Sequence, residues 1–343
     1  MAAAVTSLEE RLAFLRHGGN YPNHPRRVEC IETHFAWVFL AGRFAFKLKK
    51  PTRQANMDYR SLASRRAGCF KEVQLNRRLA GDVYLGALPL RRTGGHALVL
   101  GPGTGAVDWL IKMRRLSAAR MLDRLIARRT LRPCELERVA AHLVAFFKKA
   151  HARPFSPQAY LTRLRRRAAR TTSELSAARV GLDRRRLRLL YRAQLDFIAS
   201  QRGALGLRGA QVIDGHGDLR PEHIFVGPRG CRVIDCLEFD AELRRVDPAD
   251  EMAFLMLECG RIGARRAGQR LLVLYKRRRP DPVPDAIVHF YACQQALTRA
   301  KIAAWHLKDP EFQTQRYLWS ARTRRYVSAA SRHIRLAQQA AAR

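Results

Sequence analysis

Residues 216–226 read HGDLRPEHIFV and residues 231–240 read CRVIDCLEFD. In the first stretch, two histidines and two acids precede an apolar run. That pattern fits a tight turn ahead of a strand, or a site that handles a cation. Between Asp214 and Glu258 eleven acids stand against five basic residues, in a chain whose formal net charge is +36. An acidic island in so basic a chain is the footprint expected of a divalent-cation site, because hard cations are held by carboxylate oxygens. A zinc hydrolase centre at His216, Asp218 and His223 lacks the H-E-x-x-H spacing and a third partner. The five residues of GPGTG (101–105) resemble a phosphate cradle, but no Lys-Ser or Lys-Thr follows, so they read as a hairpin turn.

A second signal lies upstream. At 100° per residue, Cys69, Glu72, Val73, Leu75, Asn76 and Leu79 fall in one arc of a helix, with Lys71, Gln74, Arg77 and Arg78 opposite. Glu72 therefore faces inward. A buried carboxylate is costly without a cation, and Lys47, closing the alternating run FAFK, is the natural partner. The alternative is a solvated Glu72 on a helix of different phase.

These groups need elements to hold them. Ser7-x-x-Glu10 forms a capping box for a first helix. HFAWVFL and FAFKLKK read as strands joined by a tight turn at Ala41 and Gly42, the second ended by Pro51. A helix follows over 61–79. ALVL and AVDWLIKM read as a second hairpin over 97–113, turning on Gly101, Pro102, Gly103 and Gly105. After Met113 helical spacing dominates, over 118–150, 158–200 and from Ala249 onward, interrupted by the short apolar strands around HGDLRPEH and CRVID. The expected fold class is α+β: a small strand-rich N-terminal lobe (1–115) followed by a larger helical C-terminal lobe (116–343).

Composition narrows the class. With 47% hydrophobic and 27% charged residues the chain is globular rather than disordered. The N-terminus lacks the basic start and apolar stretch of a secretory signal, and nothing approaches a membrane span. Seven scattered cysteines without a C-x-x-C pair argue against a disulfide framework and for a reducing cytoplasm, each thiol acting as a small buried hydrophobe. Lysine and arginine number 65 against 29 acids, a field that favours anionic partners. The runs Arg163–Arg167, Arg184–Arg188 and Lys276–Arg279 read as solvated helix faces, since no nucleic-acid-binding motif accompanies them.

A strand lysine paired with a helix glutamate, then an Asp-bearing loop, then an Asp after an apolar strand is the kinase arrangement. HGDLRPEHIFV followed by CRVIDCLEFD resembles the catalytic and metal-binding loops of the aminoglycoside phosphotransferase-like branch of the protein-kinase-like fold. ETHFAWVFLAGRFAFKLKKP (32–51), FKEVQLNRRL (70–79) and DPADEMAFL (247–255) resemble the same branch, and more narrowly a bacterial subgroup of uncharacterised predicted kinases. The resemblance spans most of residues 28–260. It implies a bilobal kinase fold in which Asp218 accepts the proton of a substrate hydroxyl and Asp235 holds magnesium bridging the phosphates of ATP. Lys47 would contact the α- and β-phosphates with Glu72 fixing it, and adenine would meet the backbone carbonyls and amides from Met113 and Arg114 to Leu116. His216 would be a structural member of its loop.

Departures from the family pattern bear on the metal and the phosphate loop. His223 stands where the family has an asparagine ligand, and imidazole suits zinc or manganese better than magnesium. Phosphate contact or packing are the other readings of His223, and Glu238 is an alternative ligand. No glycine-rich loop occurs at Thr33 and His34, where the resemblance implies phosphate contacts. Some relatives continue into a P-loop-type domain, which is not expected after Arg343. Trp305, Tyr317, Trp319 and Tyr326 read as core, or as the lining of an acceptor pocket.

The resulting expectation is an ATP- and Mg2+- or Mn2+-dependent kinase of a small hydroxyl-bearing molecule, neutral or anionic rather than an aminoglycoside, whose positive charge this field would repel. The competing reading is a degenerate kinase fold that binds nucleotide or nucleic acid without catalysis. A metal-dependent hydrolase would have no need of Lys47.

Overall fold

Ser7 caps the first helix, α1 (Leu8–Arg16), as expected: its hydroxyl accepts the Glu10 N–H and the Glu10 carboxylate accepts the Ser7 N–H. The computed structural model describes residues 6–54, 57–94, 97–178, 181–228, 230–279, 281–308 and 314–343. They form two compact units, Met1–Arg124 with His223–Glu242, and Leu125–Glu222 with Leu243–Arg343. A division at residue 115 follows chain order alone; by packing, the segment holding Asp235 joins the strand-rich unit.

In the first unit, β1 (Val28–Glu32), β2 (Ala36–Ala41) and β3 (Phe44–Lys49) form an antiparallel meander, and α2 (Leu62–Ala80) follows. The β2–β3 loop is Gly42–Arg43, one residue later than expected, with Gly42 at φ +61, where the missing Cβ costs nothing. Strands β4 (Tyr84–Arg92), β5 (Leu98–Leu100) and β6 (Ala106–Arg114) complete a sheet in the order β1-β2-β3-β6-β4-β5.

The hairpin expected over 97–113 is therefore not formed. β5 and β6 both pair with β4, on its opposite edges. Gly86 and Pro89 interrupt the alternation of YLGALPLRR, which hides β4 from a reading by pattern. The positive φ of Gly101, Gly103 and Gly105 lets the chain double back past it.

Strand alternation sorts β3 between two cores. Phe46 and Leu48 pack with Leu15, Tyr21, Phe39, Leu90 and Leu110. On the other face Ala45 joins Cys69, Val73, Tyr84, Ile111 and Met113, beneath the inward stripe of α2. A last hairpin, β7 (Ile224–Gly227) with β8 (Gly230–Val233), belongs to this unit.

The second unit is helical: α3 (Pro133–Lys149), α4 (Pro157–Ala177), α5 (Arg184–Ser200), α6 (Arg202–Arg208), α7 (Pro248–Arg261), α8 (Arg265–Arg278), α9 (Asp285–Trp305) and α10 (Arg316–Ala341). Its interior holds a polar network. Arg208 donates to both oxygens of Asp247 at 2.7 Å and pairs with Asp281, while Tyr291 donates to Asp247 at 2.9 Å. Asp247 also caps α7 through the Ala249 N–H.

Of the four aromatic residues read as core, Tyr326 is buried, but Tyr317 lies 74% exposed at the start of α10, whose other face takes the apolar contacts. None of the seven cysteines forms a disulfide; five are buried, whereas Cys134 is exposed and Cys30 partly so, correcting the reading of each as a buried hydrophobe. Among the described residues no helix is long and apolar enough to cross a membrane.

Candidate active site

The first unit builds a charged cluster in an apolar setting. Period-2 alternation points Lys47 and Lys49 at α2, and the 3.6-residue period of α2 turns Glu72 toward them. Glu72 is fully buried: Oε1 accepts from Lys47 Nζ at 2.8 Å and Oε2 from Lys49 Nζ at 2.5 Å. The expected Lys47–Glu72 pair is thus formed. Lys47 Nζ also donates to Asp235 Oδ1 at 2.7 Å, and Lys49 Nζ to Glu238 Oε1 at 2.5 Å. Burial disfavours the charge on Lys47, yet the carboxylates of Asp235 and Glu72 hold its pKa well above the ordinary lysine value. The same balance, with Glu72 and Glu238 opposing burial, keeps Lys49 charged.

Asp235 is held by its backbone more than by packing. Its φ is +65, a left-handed conformation that costs a non-glycine residue and persists only where neighbours enforce it. The Asp235 N–H donates to Tyr84 Oη at 3.3 Å, and the Cys236 N–H to Asn76 Oδ1 at 2.9 Å. Asn76 in turn donates to the Glu72 carbonyl at 2.9 Å, so α2 fixes both the pairing carboxylate and the aspartate turn. With the Asp235 side chain 46% exposed, its carboxylate projects from the buried cluster rather than vanishing into it.

These residues fit a divalent metal. Magnesium takes one or two carboxylates beside phosphate and water, and Asp235 supplies such an oxygen ligand. His223 Nε2 stands 3.6 Å from Asp235 Oδ2, near enough for both to reach one ion. Among the described residues no cluster of three His, Cys, Asp or Glu side chains has metal-holding geometry. Glu238, the alternative ligand, is committed instead to Lys49 and, at 2.7 Å, to Tyr59 Oη.

Thr33 closes the β1–β2 turn, its N–H and hydroxyl both donating to the Ala36 carbonyl at 2.8 Å. His34, beside it, meets Gln54 Oε1 at 3.1 Å. Met113 is buried in β6, paired with Ala45 and Tyr84. The Arg114 N–H is taken by the Val83 carbonyl and that of Arg115 by the Arg43 carbonyl, both at 2.9 Å, so these two amides are already committed to backbone partners beside the sheet. Val38, Ala45, Met113, Leu116 and Ile234 line one apolar cluster.

In the second unit, Asp218 lies in a loop organised from α7. Glu251 Oε1 accepts the His216 N–H at 2.8 Å and the Gly217 N–H at 2.5 Å, and Gly217 adopts φ +85. His216 is fully buried and its Nδ1 accepts the Asp218 N–H at 3.2 Å, the structural role expected of it. Arg220 Nε donates to Asp218 Oδ2 at 3.0 Å, and Arg299 Nη1, from α9, lies 3.7 Å from Oδ1.

Reading the sequence missed Lys49, Glu251 and Arg299. Lys49 was legible, since alternation puts it on the face of Lys47. Glu251 and Arg299 act from distant helices, and no local pattern marks them.

No family model matches the sequence. The chain is 30% identical over 281 residues to uncharacterised proteins of Mycobacterium tuberculosis and Mycobacterium bovis, a match covering 80% of this chain and 54% of theirs. It thus spans about half the length of the curated relatives it matches. Among solved structures it is similar to an APH(2")-type aminoglycoside phosphotransferase in complex with GDP and kanamycin, at 14% identity and a TM-score of 0.55, covering 95% of this chain and 99% of the other. It is also similar to a choline/ethanolamine kinase family protein from Mesorhizobium loti, at 14% identity and a TM-score of 0.53 with the same coverage. A choline kinase from Cryptosporidium parvum matches at 10% identity and a TM-score of 0.50, covering 94% of each chain. At such identities the likeness establishes the fold: α+β and kinase-like, as the sequence motifs imply.

Proposed function

From the kinase-like fold that this chain shares with aminoglycoside phosphotransferases and choline/ethanolamine kinases, we propose that it is an ATP- and divalent-metal-dependent phosphotransferase acting on a hydroxyl of a small molecule. The observation that carries this reading is the bridge from Lys47 Nζ to Glu72 and Asp235. A hydrolase has no use for a charged lysine held in that way, whereas phosphoryl transfer depends on positioning and charge neutralisation.

In this reading the first unit handles the nucleotide. The cluster of Val38, Ala45, Met113, Leu116 and Ile234 offers an apolar surface to a planar base. Lys47 binds the α- and β-phosphate oxygens, and Glu72 keeps it charged and aimed. Asp235, with His223 beside it, holds magnesium or manganese, which when bound neutralises charge developing on the phosphates. Thr33 and His34 lie at the turn assigned to the phosphates, where the committed Thr33 leaves backbone groups of the turn as the contacts.

The second unit handles the acceptor. Asp218 receives the hydroxyl proton as the oxygen attacks the γ-phosphorus, and the bond from that phosphorus to the bridging oxygen of ADP breaks. The His216 and Glu251 contacts hold the loop so that the carboxylate is presented without reorganisation. Kanamycin, the ligand of one structural relative, is a polycation that this chain's field disfavours, so the acceptor is neutral or anionic. The scattered cysteines, none of them in a disulfide, suit the reducing cytoplasm in which this reading sets the protein.

The test is Asp218→Asn with a panel of hydroxyl acceptors and ATP. Loss of a general base lowers turnover by roughly 10²- to 10⁴-fold, while ADP affinity, which depends on the first unit, stays at the wild-type value. Unchanged turnover in the variant would remove Asp218 from the reaction.

A further inference from the structure

Two arginines flank the aspartate that the proposed reaction uses as its base. Arg220 approaches Asp218 Oδ2 at 3.0 Å and Arg299 approaches Oδ1 at 3.7 Å, both within the second unit. Arg220 belongs to the loop, but Arg299 reaches in from α9, and its side chain is only 15% exposed. Its Nε is buried and meets no acceptor among the described residues, and 3.7 Å is too long for its Nη1 to make a good hydrogen bond. The face of Phe254 lies 6.0 Å from the guanidinium carbon, an apolar backing.

The other nearby carboxylates are already engaged: Glu251 takes the His216 and Gly217 N–H groups, and Glu258, with Tyr326, also faces Arg299. Glu258 takes the Tyr326 hydroxyl at 2.7 Å and Arg261 Nε at 2.6 Å, and Arg261 also pairs with Glu222. Asp218 is thus one negative charge facing two guanidinium groups, one of which retains hydrogen-bonding capacity in a sheltered position. A buried arginine with unused donors is costly unless something supplies the acceptors. An acceptor carrying an ammonium group beside Arg299 would face a like charge, whereas a carboxylate or phosphate would match the planar fork of a guanidinium.

We infer that Arg299 is a specificity-determining residue that binds an anionic substituent, carboxylate or phosphate, of an acceptor whose hydroxyl lies against Asp218. This rests on the phosphotransferase reading above and narrows its acceptor to hydroxy acids and phosphorylated alcohols or sugars. The inference accounts for an arginine at this position without requiring it to be a mere clamp on Asp218. A clamp would sit at hydrogen-bonding distance, as Arg220 does.

The experiment measures ADP release with matched acceptors: glycerate against glycerol, gluconate against glucitol, and glucose 6-phosphate against glucose, with choline and glucosamine as cationic members. ADP binding by the full chain is measured in parallel. The expected result is kcat/KM at least about tenfold higher for the anionic member of a reacting pair, the size of one charge-assisted hydrogen bond. In Arg299→Gln that preference collapses through KM, and Arg299→Lys, which keeps the charge but not the fork, recovers part of it. ADP affinity is the same in all three proteins. Equal or better turnover of neutral or cationic members overturns the inference, as does an anion preference that survives in Arg299→Gln. Inertness of every anionic member while ADP binds normally also overturns it. Failure of the wild-type protein to bind ADP instead removes the phosphotransferase reading, and the inference with it. A displaced unfolding midpoint identifies an Arg299→Gln protein that is misfolded, in which case the Arg299→Lys result decides.

Discussion

Replacing Glu72 with glutamine isolates the charge of the buried cluster while keeping its shape. Glu72 has no solvent exposure, and each carboxylate oxygen receives one lysine, at 2.8 Å from Lys47 and 2.5 Å from Lys49. A glutamine amide offers one oxygen and one NH2, so one ammonium would face a donor where it had an acceptor. Removing one partner from a buried ion pair costs about 3–5 kcal/mol. Lys47 retains Asp235 and Lys49 retains Glu238, which places the loss near the lower end, about 3 kcal/mol. At about 2–4 °C per kcal/mol that is a fall in melting temperature of about 6–12 °C. Glu29→Gln is the control: its pair with Arg115 spans 3.4 Å with both side chains largely exposed, and such pairs contribute about 0–1 kcal/mol. Calorimetric melting of the three proteins at one pH and salt decides the matter. A Glu72→Gln midpoint within about 2 °C of wild type, or one no lower than that of Glu29→Gln, would refute the account of Glu72 as the charge that two buried lysines require.

Two further perturbations test the second unit. Asp247→Asn removes one of the two carboxylates around the buried Arg208, so urea unfolding should show a loss of about 3–5 kcal/mol; a loss below about 1 kcal/mol would mean that the network is dispensable. His333 is buried beside His289, with Nδ1 atoms 3.1 Å apart, and among Arg332, Arg265, Lys276 and Asp285. Burial first, then the neighbouring charges, push its pKa down to about 3. Since the unfolded chain binds this proton below about pH 6.5 and the folded chain does not until much lower, the group's contribution is complete above pH 6.5 and lost as pH falls from there toward 3. Between pH 7.5 and pH 5 the stability advantage of wild type over His333→Gln should shrink by up to about 2 kcal/mol. A difference that stays constant across that range would contradict the buried neutral histidine.

The parts of this architecture that were legible in the sequence are those set by local periodicity. Six inward positions of α2 follow from a 100° wheel because the helix packs on a sheet with one face, and Glu72 came with them. Lys47 and Lys49 share a strand face by the same logic of alternation. β4 was not legible: Gly86 and Pro89 break its pattern, and its strand character comes from pairing with β5 and β6, which tertiary structure supplies. Nor could any local pattern show that residues 223–242 pack with the first unit, where Asn76 and Tyr84 receive the backbone at Asp235 and Cys236. Arg299 lies far along the chain from Asp218 and sits in an apolar helix, AIVHFYACQQALTRAKIAAW, where a single arginine reads as a snorkelling surface residue. Only the three-dimensional neighbourhood shows it sheltered against the loop of Asp218.

The central claim is that Asp235 and Lys47 hold a metal nucleotide. Calorimetric titration of ATP into wild type and Asp235→Asn, with Mg2+, with Mn2+ and with neither, tests it most directly. The account predicts metal-dependent ATP binding by the wild-type protein that is lost or severely weakened in the variant. ATP binding that ignores the metal, or that is equally strong in Asp235→Asn, would contradict it.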